Sequence, residues 1–380
     1  MNFDFDHPPD RRGSDSVKWG KYAGRDVLPM WVADMDFAAP PCVIEALRER
    51  VDHGVFGYGS PPMSLAGAVV EALQRDHGWA IDPDWLVWLP GLVSALNIVC
   101  RAIGEAGDDV LTATPVYPPF LSAPCYSGRR VTTVDLRRTD SRWTWDPGRL
   151  ERAVTPRSRL LMLCNPHNPV GRVLSREELA SIAQTAERHN LVICSDEIHC
   201  GLVLDKRLQH LPIAMLDDAT AERTITLMAP SKTWNIPGLG CAFAVVANPK
   251  LRRQVLDAMH GIVPHANVLG LAATEAAYRH GDPWRRELVD YLRGNAECVE
   301  RAIAAIPGLS TWPVEATSLA WIDARSLALR DTVRFFEDAG VGLSNGADFG
   351  APGYVRLNFG CARSVLELAL RRIHDAVMAR

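Results

Sequence analysis

The sequence predicts an α/β protein: a large domain with a mostly parallel seven-stranded sheet, and a smaller α/β domain beside it. Three observations predict it. Seven short apolar runs recur along the first two thirds of the chain, with amphipathic stretches between several of them. The runs are nearly continuous rather than alternating, which suits strands covered on both faces. After about residue 250 the texture changes to long helical stretches and then a shorter strand–helix pattern. A chain of 380 residues is also too long for one simple core, so two domains are expected.

Residues 1–40 read as irregular around the apolar run "VLPMWVADM", and Pro40–Pro41 open a helix over 41–53. The strand runs follow: "WLVWLP" (85–90), "DVLTATP" (109–115), "RVTTVDL" (130–136), "RLLMLCNP" (159–166), "LVICSDE" (191–197), "TITLMAP" (224–230) and "CAFAVVAN" (241–248). Between the fifth run and its predecessor lies "SREELASIAQTAERHN" (175–190), a helix starting on Ser175 with Glu178 three residues later, the pattern of a capping box. Helical stretches then run to about 305. "SLAWIDA", a helix at 331–339, "YVRLNFG" and a helix at 364–379 close the chain. The large domain is expected over 50–285, and the small one from 1–49 together with 286–380.

Composition narrows the function. The apolar fraction of 47% and charged fraction of 23% are ordinary for a soluble enzyme. Forty-one Lys and Arg against 45 Asp and Glu give a net charge of −4 without a basic run, which speaks against nucleic acid or an anionic membrane as partner. No stretch approaches 18 uninterrupted apolar residues, and "MNFDFDHPPDRRG" is unlike a secretory signal. Nine cysteines are scattered as singles without a CxxC pair, which reads as reduced thiols in the cytoplasm. Neither HExxH nor paired CxxC offers a metal site, and His199–Cys200 stands isolated.

Ligands of open α/β sheets bind beyond the carboxyl ends of the strands, so the residues there carry the chemistry. "PGLVSAL" (90–96) opens a helix: Gly91 is expected to permit the turn, and the amides near Val93 and Ser94 to face an anion. "TPVYPPF" puts Tyr117 after one strand, and "CNPHNPVGR" puts Asn165 and Asn168 after another. "SDEIH" places Asp196 at the end of the most apolar strand, with His199 three residues on. Lys232 of "APSKTWN" follows the next, among small hydroxyls and Trp234.

Singly, each has a plainer reading: a solvated lysine, a helix-capping aspartate, Asn-Pro turns, a core tyrosine, a satisfied core histidine. Together they suit one ligand, a flat, phosphorylated, electrophilic heterocycle. The helix start takes its phosphate, and Tyr117 stacks on its face. Asp196 holds a protonated ring nitrogen by a charge-assisted bond. Asn168 and His199 bond a ring hydroxyl, and Lys232 forms a Schiff base. That ligand is pyridoxal 5′-phosphate, an electron sink for carbanions beside an amine.

With those residues in view, "NPHNPVG", "SDEIH", "SKTWNIPGLG" and "VRLNF" resemble the fold-type-I pyridoxal-phosphate enzymes of the class I/II aminotransferase superfamily. "LPMWVADMDF", "HGVFGYGSPP", "TPVYPPF" and "SDEIHCGLV" resemble one branch of it, the PatB/MalY-type C–S lyases, or cystathionine β-lyase-like enzymes, over about residues 1–375. The resemblance implies that Lys232 is the Schiff-base lysine and proton shuttle. It implies that Asp196 pairs with the pyridinium, Asn168 with the ring 3-oxygen, and Tyr117 with the ring face. His199 takes a position where many relatives carry a tyrosine. Tyr58 would reach the phosphate of a neighbouring subunit, giving a homodimer with shared sites. Arg356 would grip the α-carboxylate of a small amino-acid substrate, and the backbone around Ala33–Asp34 would line its pocket. Two departures stand out: Ala229 and Gly240 occupy positions where many relatives hold the phosphate with serine and arginine. The grip then falls to Val93, Ser94, Ser231 or Thr233, and Tyr58.

The implied reaction is α,β-elimination on L-cystathionine or a related cysteine S-conjugate, with Lys232 removing the α-proton. An aminotransferase would use the same residues up to that step, and a cofactor-bound regulatory protein would keep the fold. "GLSNG" (342–346) matches the G-x-S-x-G elbow of a serine hydrolase, with Asp348 and His374 downstream, but the loop-like "ADFGAPGY" follows it instead of a helix.

Overall fold

The structure, a computed structural model, describes residues 3–139 and 141–380. The seven expected runs form one sheet: β1 (Leu86–Leu89), β2 (Asp109–Thr114), β3 (Arg130–Asp135), β4 (Ser158–Cys164), β5 (Val192–Asp196), β6 (Thr224–Met228) and β7 (Ala242–Val245). Their spatial order is β1-β7-β6-β5-β4-β2-β3. The pairs among β2 to β6 are parallel, whereas β7 runs antiparallel to both β1 and β6. The sheet is therefore mostly parallel, as expected.

Alternate side chains of each strand feed opposite faces. Val110, Leu160, Met162, Cys194, Ile225 and Leu227 pack with Leu96 and Val99 of helix Leu92–Ala102. Leu111, Leu161, Leu163 and Ile193 pack with Leu179, Ile182 and Ala186 of helix Arg176–Arg188. That helix carries the anticipated capping box, with Ser175 accepting from Glu178 N and the Glu178 carboxylate reaching back to Ser175 N. Burial of both faces leaves the strand ends as the place where polar side chains gather. The register aligns Cys164 with Asp196 and Asp196 with Leu227, so the carboxyl ends of β4, β5 and β6 finish level.

A second, antiparallel sheet joins Ser310–Thr311, Leu319–Asp323, Tyr354–Asn358 and Ser344–Asn345, in that order. Helix Asp282–Ala304 leads into it, and helix Arg363–Met378 closes the chain. The N-terminal stretch, read as irregular, contains a short helix (Val17–Gly20) and a two-residue strand, Leu28–Pro29, paired with Val341–Gly342. This pairing ties the first residues of the chain to its last hundred.

Candidate active site

The carboxyl ends of five strands, β1, β2, β4, β5 and β6, and the approach to β7 converge on a cavity of about 280 Å³. Because β7 is antiparallel, the residues just before it, Gly240 and Cys241, lie at the same edge as those carboxyl ends. The cavity brings together Val93, Ser94, Tyr117, Asn168, Asp196 and His199 with Ser231, Lys232, Arg356 and Ala33. Asp34, whose backbone was expected beside that of Ala33, is not among the lining residues. The Asp34 side chain lines a neighbouring cavity, where Oδ2 accepts from Arg11 at 2.6 Å. Tyr58, expected to serve a neighbouring subunit rather than this cavity, is fully exposed.

At one end lies the start of helix Leu92–Ala102. Its first intrahelical bond is Ala95 N to Gly91 O, so the amides of Leu92, Val93 and Ser94 have no helical acceptor. With the dipole behind them, they make an anion cradle. Gly91 corrects one expectation: its backbone is extended (φ 168°), and a Cβ there would meet nothing within 4 Å, so the turn does not demand glycine. Gly240 is demanded. Its φ is +56° and a Cβ would sit 3.1 Å from the Pro90 carbonyl, which explains why no arginine stands there.

Asp196 is buried, with Oδ1 accepting from Ile198 N at 3.1 Å. Burial, aided by the neighbouring Glu197 carboxylate, pushes its pKa up to about 7 against the opposing effects of that hydrogen bond and Lys232. A carboxylate so placed gains most from a cationic partner inside the cavity. Lys232 donates from Nζ to the Ala33 carbonyl at 2.7 Å. Burial lowers its pKa to about 8; Asp34 and Asp196 oppose the fall and Arg356 adds to it. His199 is held neutral, its pKa pushed down to about 3 by burial, Lys232 and Arg356, and its buried Nδ1 lacks a partner among the described residues. Tyr117 keeps its phenol proton, its pKa raised by burial.

Arg356 comes from the second sheet. Nη1 donates to Asn168 Oδ1 (2.9 Å), Nη2 to the Trp31 carbonyl (2.9 Å) and to Ser344 Oγ (3.3 Å), and the guanidinium lies over the Phe349 ring. The buried Nε has no partner among the described residues. An aromatic cover and a donor still free describe a guanidinium prepared for one more acceptor.

These observations fit pyridoxal 5′-phosphate. The free amides suit a phosphate, the partnerless His199 nitrogen a ring oxygen, the buried Asp196 a ring cation, and the amine of Lys232 an aldehyde. The hydrolase pattern dissolves: Ser344 Oγ donates to Trp31 O at 2.6 Å, while His374 sits half exposed on the last helix beside Asp375.

Sequence reasoning missed the residues that hold the segment Trp31–Asp36 against the cavity. Lys18, almost fully buried, pairs with Asp36 at 2.9 Å, and Arg11 pairs with Asp34 and Asp36. Asn235, at φ +54°, binds Met35 N and O and Phe37 O. Asn358 lies on the same strand face as Arg356. A polar residue two positions after that arginine in an apolar run was the available signal.

A family model, aminotransferase class I and II, matches residues 25–373. The chain belongs to that family. Within it, the chain is 38% identical to the cystathionine beta-lyase PatB of Bacillus subtilis, over 98% of this chain and 99% of PatB. The crystal structure of OvoB superposes with a TM-score of 0.98 at 48% identity, covering 100% of both chains. Cystalysin from Treponema denticola, solved with a pyridoxal 5′-phosphate cofactor, superposes at 0.96 with 30% identity, again over 100% of both. The resemblance to the PatB/MalY branch and the fold-type-I architecture read from the sequence are thus borne out.

Proposed function

We propose that the protein is a pyridoxal-phosphate-dependent carbon–sulfur β-lyase, releasing a thiol, pyruvate and ammonia from L-cystathionine or a related cysteine S-conjugate. The observation that carries it is the meeting of Lys232, Asp196 and Arg356 in one buried cavity beside a helix start. The full-length likeness to a cystathionine beta-lyase favours elimination over amino transfer.

When bound, the cofactor supplies a sink for the electron pair left at the substrate's α-carbon. The protein's part is positional and protonic. Leu92, Val93 and Ser94 amides, with the Ser94 and Ser231 hydroxyls, bind the phosphate. The Tyr117 ring covers one face. Asp196 keeps the ring nitrogen protonated, and His199 and Asn168 meet the ring oxygen. Arg356 binds the α-carboxylate, which sets the α-proton toward Lys232. The Lys232 amine, kept partly unprotonated near neutral pH by burial, takes that proton. The carbon–sulfur electron pair leaves with the thiol, and hydrolysis of the remaining enamine gives pyruvate and ammonia.

The active assembly is a homodimer with shared sites. Tyr58 stands fully exposed in a stretch with exposed Val55, Phe56 and Met63, while Val93 and Ile262 are exposed as well. So apolar a surface suits a second copy, whose phosphate Tyr58 would reach. The large domain spans 50–285, enclosing the seven-stranded sheet, and residues 1–49 with 286–380 form the small one. The location is cytoplasmic: all nine cysteines are free, and no helix of the described residues is long and apolar enough to cross a membrane.

The test is the fate of L-cystathionine with the purified, cofactor-loaded protein. Pyruvate and free thiol over many turnovers establish the lyase. Turnover only with an added acceptor keto acid makes it an aminotransferase.

A further inference from the structure

Residues 31–35 belong to no strand, yet a side chain takes every one of their carbonyls. Trp31 O receives Arg356 Nη2 (2.9 Å) and Ser344 Oγ (2.6 Å). Val32 O receives Asn358 Nδ2 (2.6 Å), and Ala33 O receives Lys232 Nζ (2.7 Å). Asp34 O receives the same Asn358 Nδ2 (2.8 Å) and Lys18 Nζ (3.2 Å). Met35 O receives Arg11 and Asn235. The chain bends at Val32 and Ala33. The carbonyls of Val32 and Asp34 therefore converge on one amide nitrogen, while those of Trp31 and Ala33 meet the two functional cations.

We infer that Asn358 is a positioning residue for the reaction. By holding both sides of the bend, it fixes the Ala33 carbonyl where it receives the Lys232 amine and sets the spacing between that amine and Arg356. Asn358 does not line the cavity. Its side chain is fully buried and committed at both ends, since Oδ1 accepts from Gly360 N (2.9 Å) and Ser318 Oγ (3.1 Å). Its orientation is thereby fixed. Aspartate, of the same shape, would turn acceptors toward two carbonyl oxygens, and an aliphatic side chain would leave both carbonyls buried and unbonded. A carbonyl that accepts from Nζ at 2.7 Å favours the ammonium over the free amine, acting with Asp34 and Asp196 against the burial and the Arg356 charge that lower the Lys232 pKa.

The inference rests on the reading of Lys232 as the cofactor-binding lysine, and its test separates the two. The full chain, stripped of cofactor, is exposed to pyridoxal 5′-phosphate across a pH series and reduced with borohydride. The fraction of Lys232 modified is then read by peptide mass spectrometry. In Asn358→Ala the midpoint falls by about one pH unit, because the ammonium loses a fixed acceptor. Leu357→Val, on the opposite face of the same strand and equally buried, keeps the wild-type midpoint while losing a core methylene. Should Asn358→Ala not fold, Asn358→Ser replaces it. A midpoint unchanged in the Asn358 variant, or shifted equally in Leu357→Val, overturns the positioning role. Wild-type Lys232 left unmodified at every pH overturns the cofactor reading, and the positioning role with it.

Discussion

Arg356 Nη1 donates to Asn168 Oδ1 at 2.9 Å, so the arginine proposed to grip the substrate is already bonded to the asparagine proposed to meet the cofactor. The bond joins the second sheet to the loop after β4. Arg356→Lys loses the planar fork and this second contact together. The expected result is a fall in kcat/KM of roughly 30- to 150-fold, from about 2–3 kcal/mol of charge-assisted bonding, borne mostly by KM. Steady-state kinetics on L-cystathionine checks it.

Lys232→Ala removes the amine proposed to bind the cofactor and to take the α-proton. Turnover is expected to vanish, and borohydride no longer fixes pyridoxal 5′-phosphate to the chain. Mass spectrometry of the reduced protein reads the second result independently of activity.

Asp196→Asn separates catalysis from stability. In the cofactor-free protein the folded pKa of Asp196, about 7, lies above its ordinary value of 3.8. The folded state then holds the proton more tightly than the unfolded one, so stability falls as pH rises between those values. At pH 8 the cofactor-free variant should melt higher than the wild type, by roughly 2–5 °C, and at pH 3 the two should coincide. The loaded variant should lose activity by on the order of a thousandfold. Equal melting temperatures at pH 8 would contradict the burial argument.

Lys18 and Asp36 form an ion pair at 2.9 Å in which the lysine is 1% exposed. Asp36→Ala leaves that ammonium buried with only the Asp34 carbonyl as acceptor. The cost should be about 3 kcal/mol in urea unfolding of the cofactor-free chain.

Tyr58→Phe should leave the proposed dimer intact in sedimentation yet weaken cofactor binding about tenfold, the loss of the one hydrogen bond proposed to reach a partner's phosphate. A variant with unchanged affinity would remove Tyr58 from the site.

The strands were legible because burial on both faces demands continuous apolar runs, and "SREELASIAQTAERHN" was legible because its cap is local chemistry. Strand order was not. An apolar run such as "CAFAVVAN" carries no mark of direction, and the antiparallel course of β7 follows from the helix-poor loop before it. Lys232, Asp196, Asn168 and Arg356 could be found as polar residues punctuating apolar runs. The backbone of Ala33 was expected at the pocket only through the family resemblance, and its bond to Lys232 was not legible, since every residue owns a carbonyl and only the fold decides where it points. The same holds for Asp34, whose carbonyl receives Asn358 and Lys18 while its carboxylate turns toward Arg11.

The antiparallel strand has a mechanical consequence. Lys232 sits in the loop 229–241, whose two ends are adjacent strands of one sheet, β6 and β7. The loop is thus a short bight anchored at both feet, and whatever seizes the lysine also pulls two neighbouring rungs of the same ladder. Attachment of a ligand there should register as slowed amide exchange along β6 and β7, well away from the point of capture, while β2 and β3 at the far edge stay as they were.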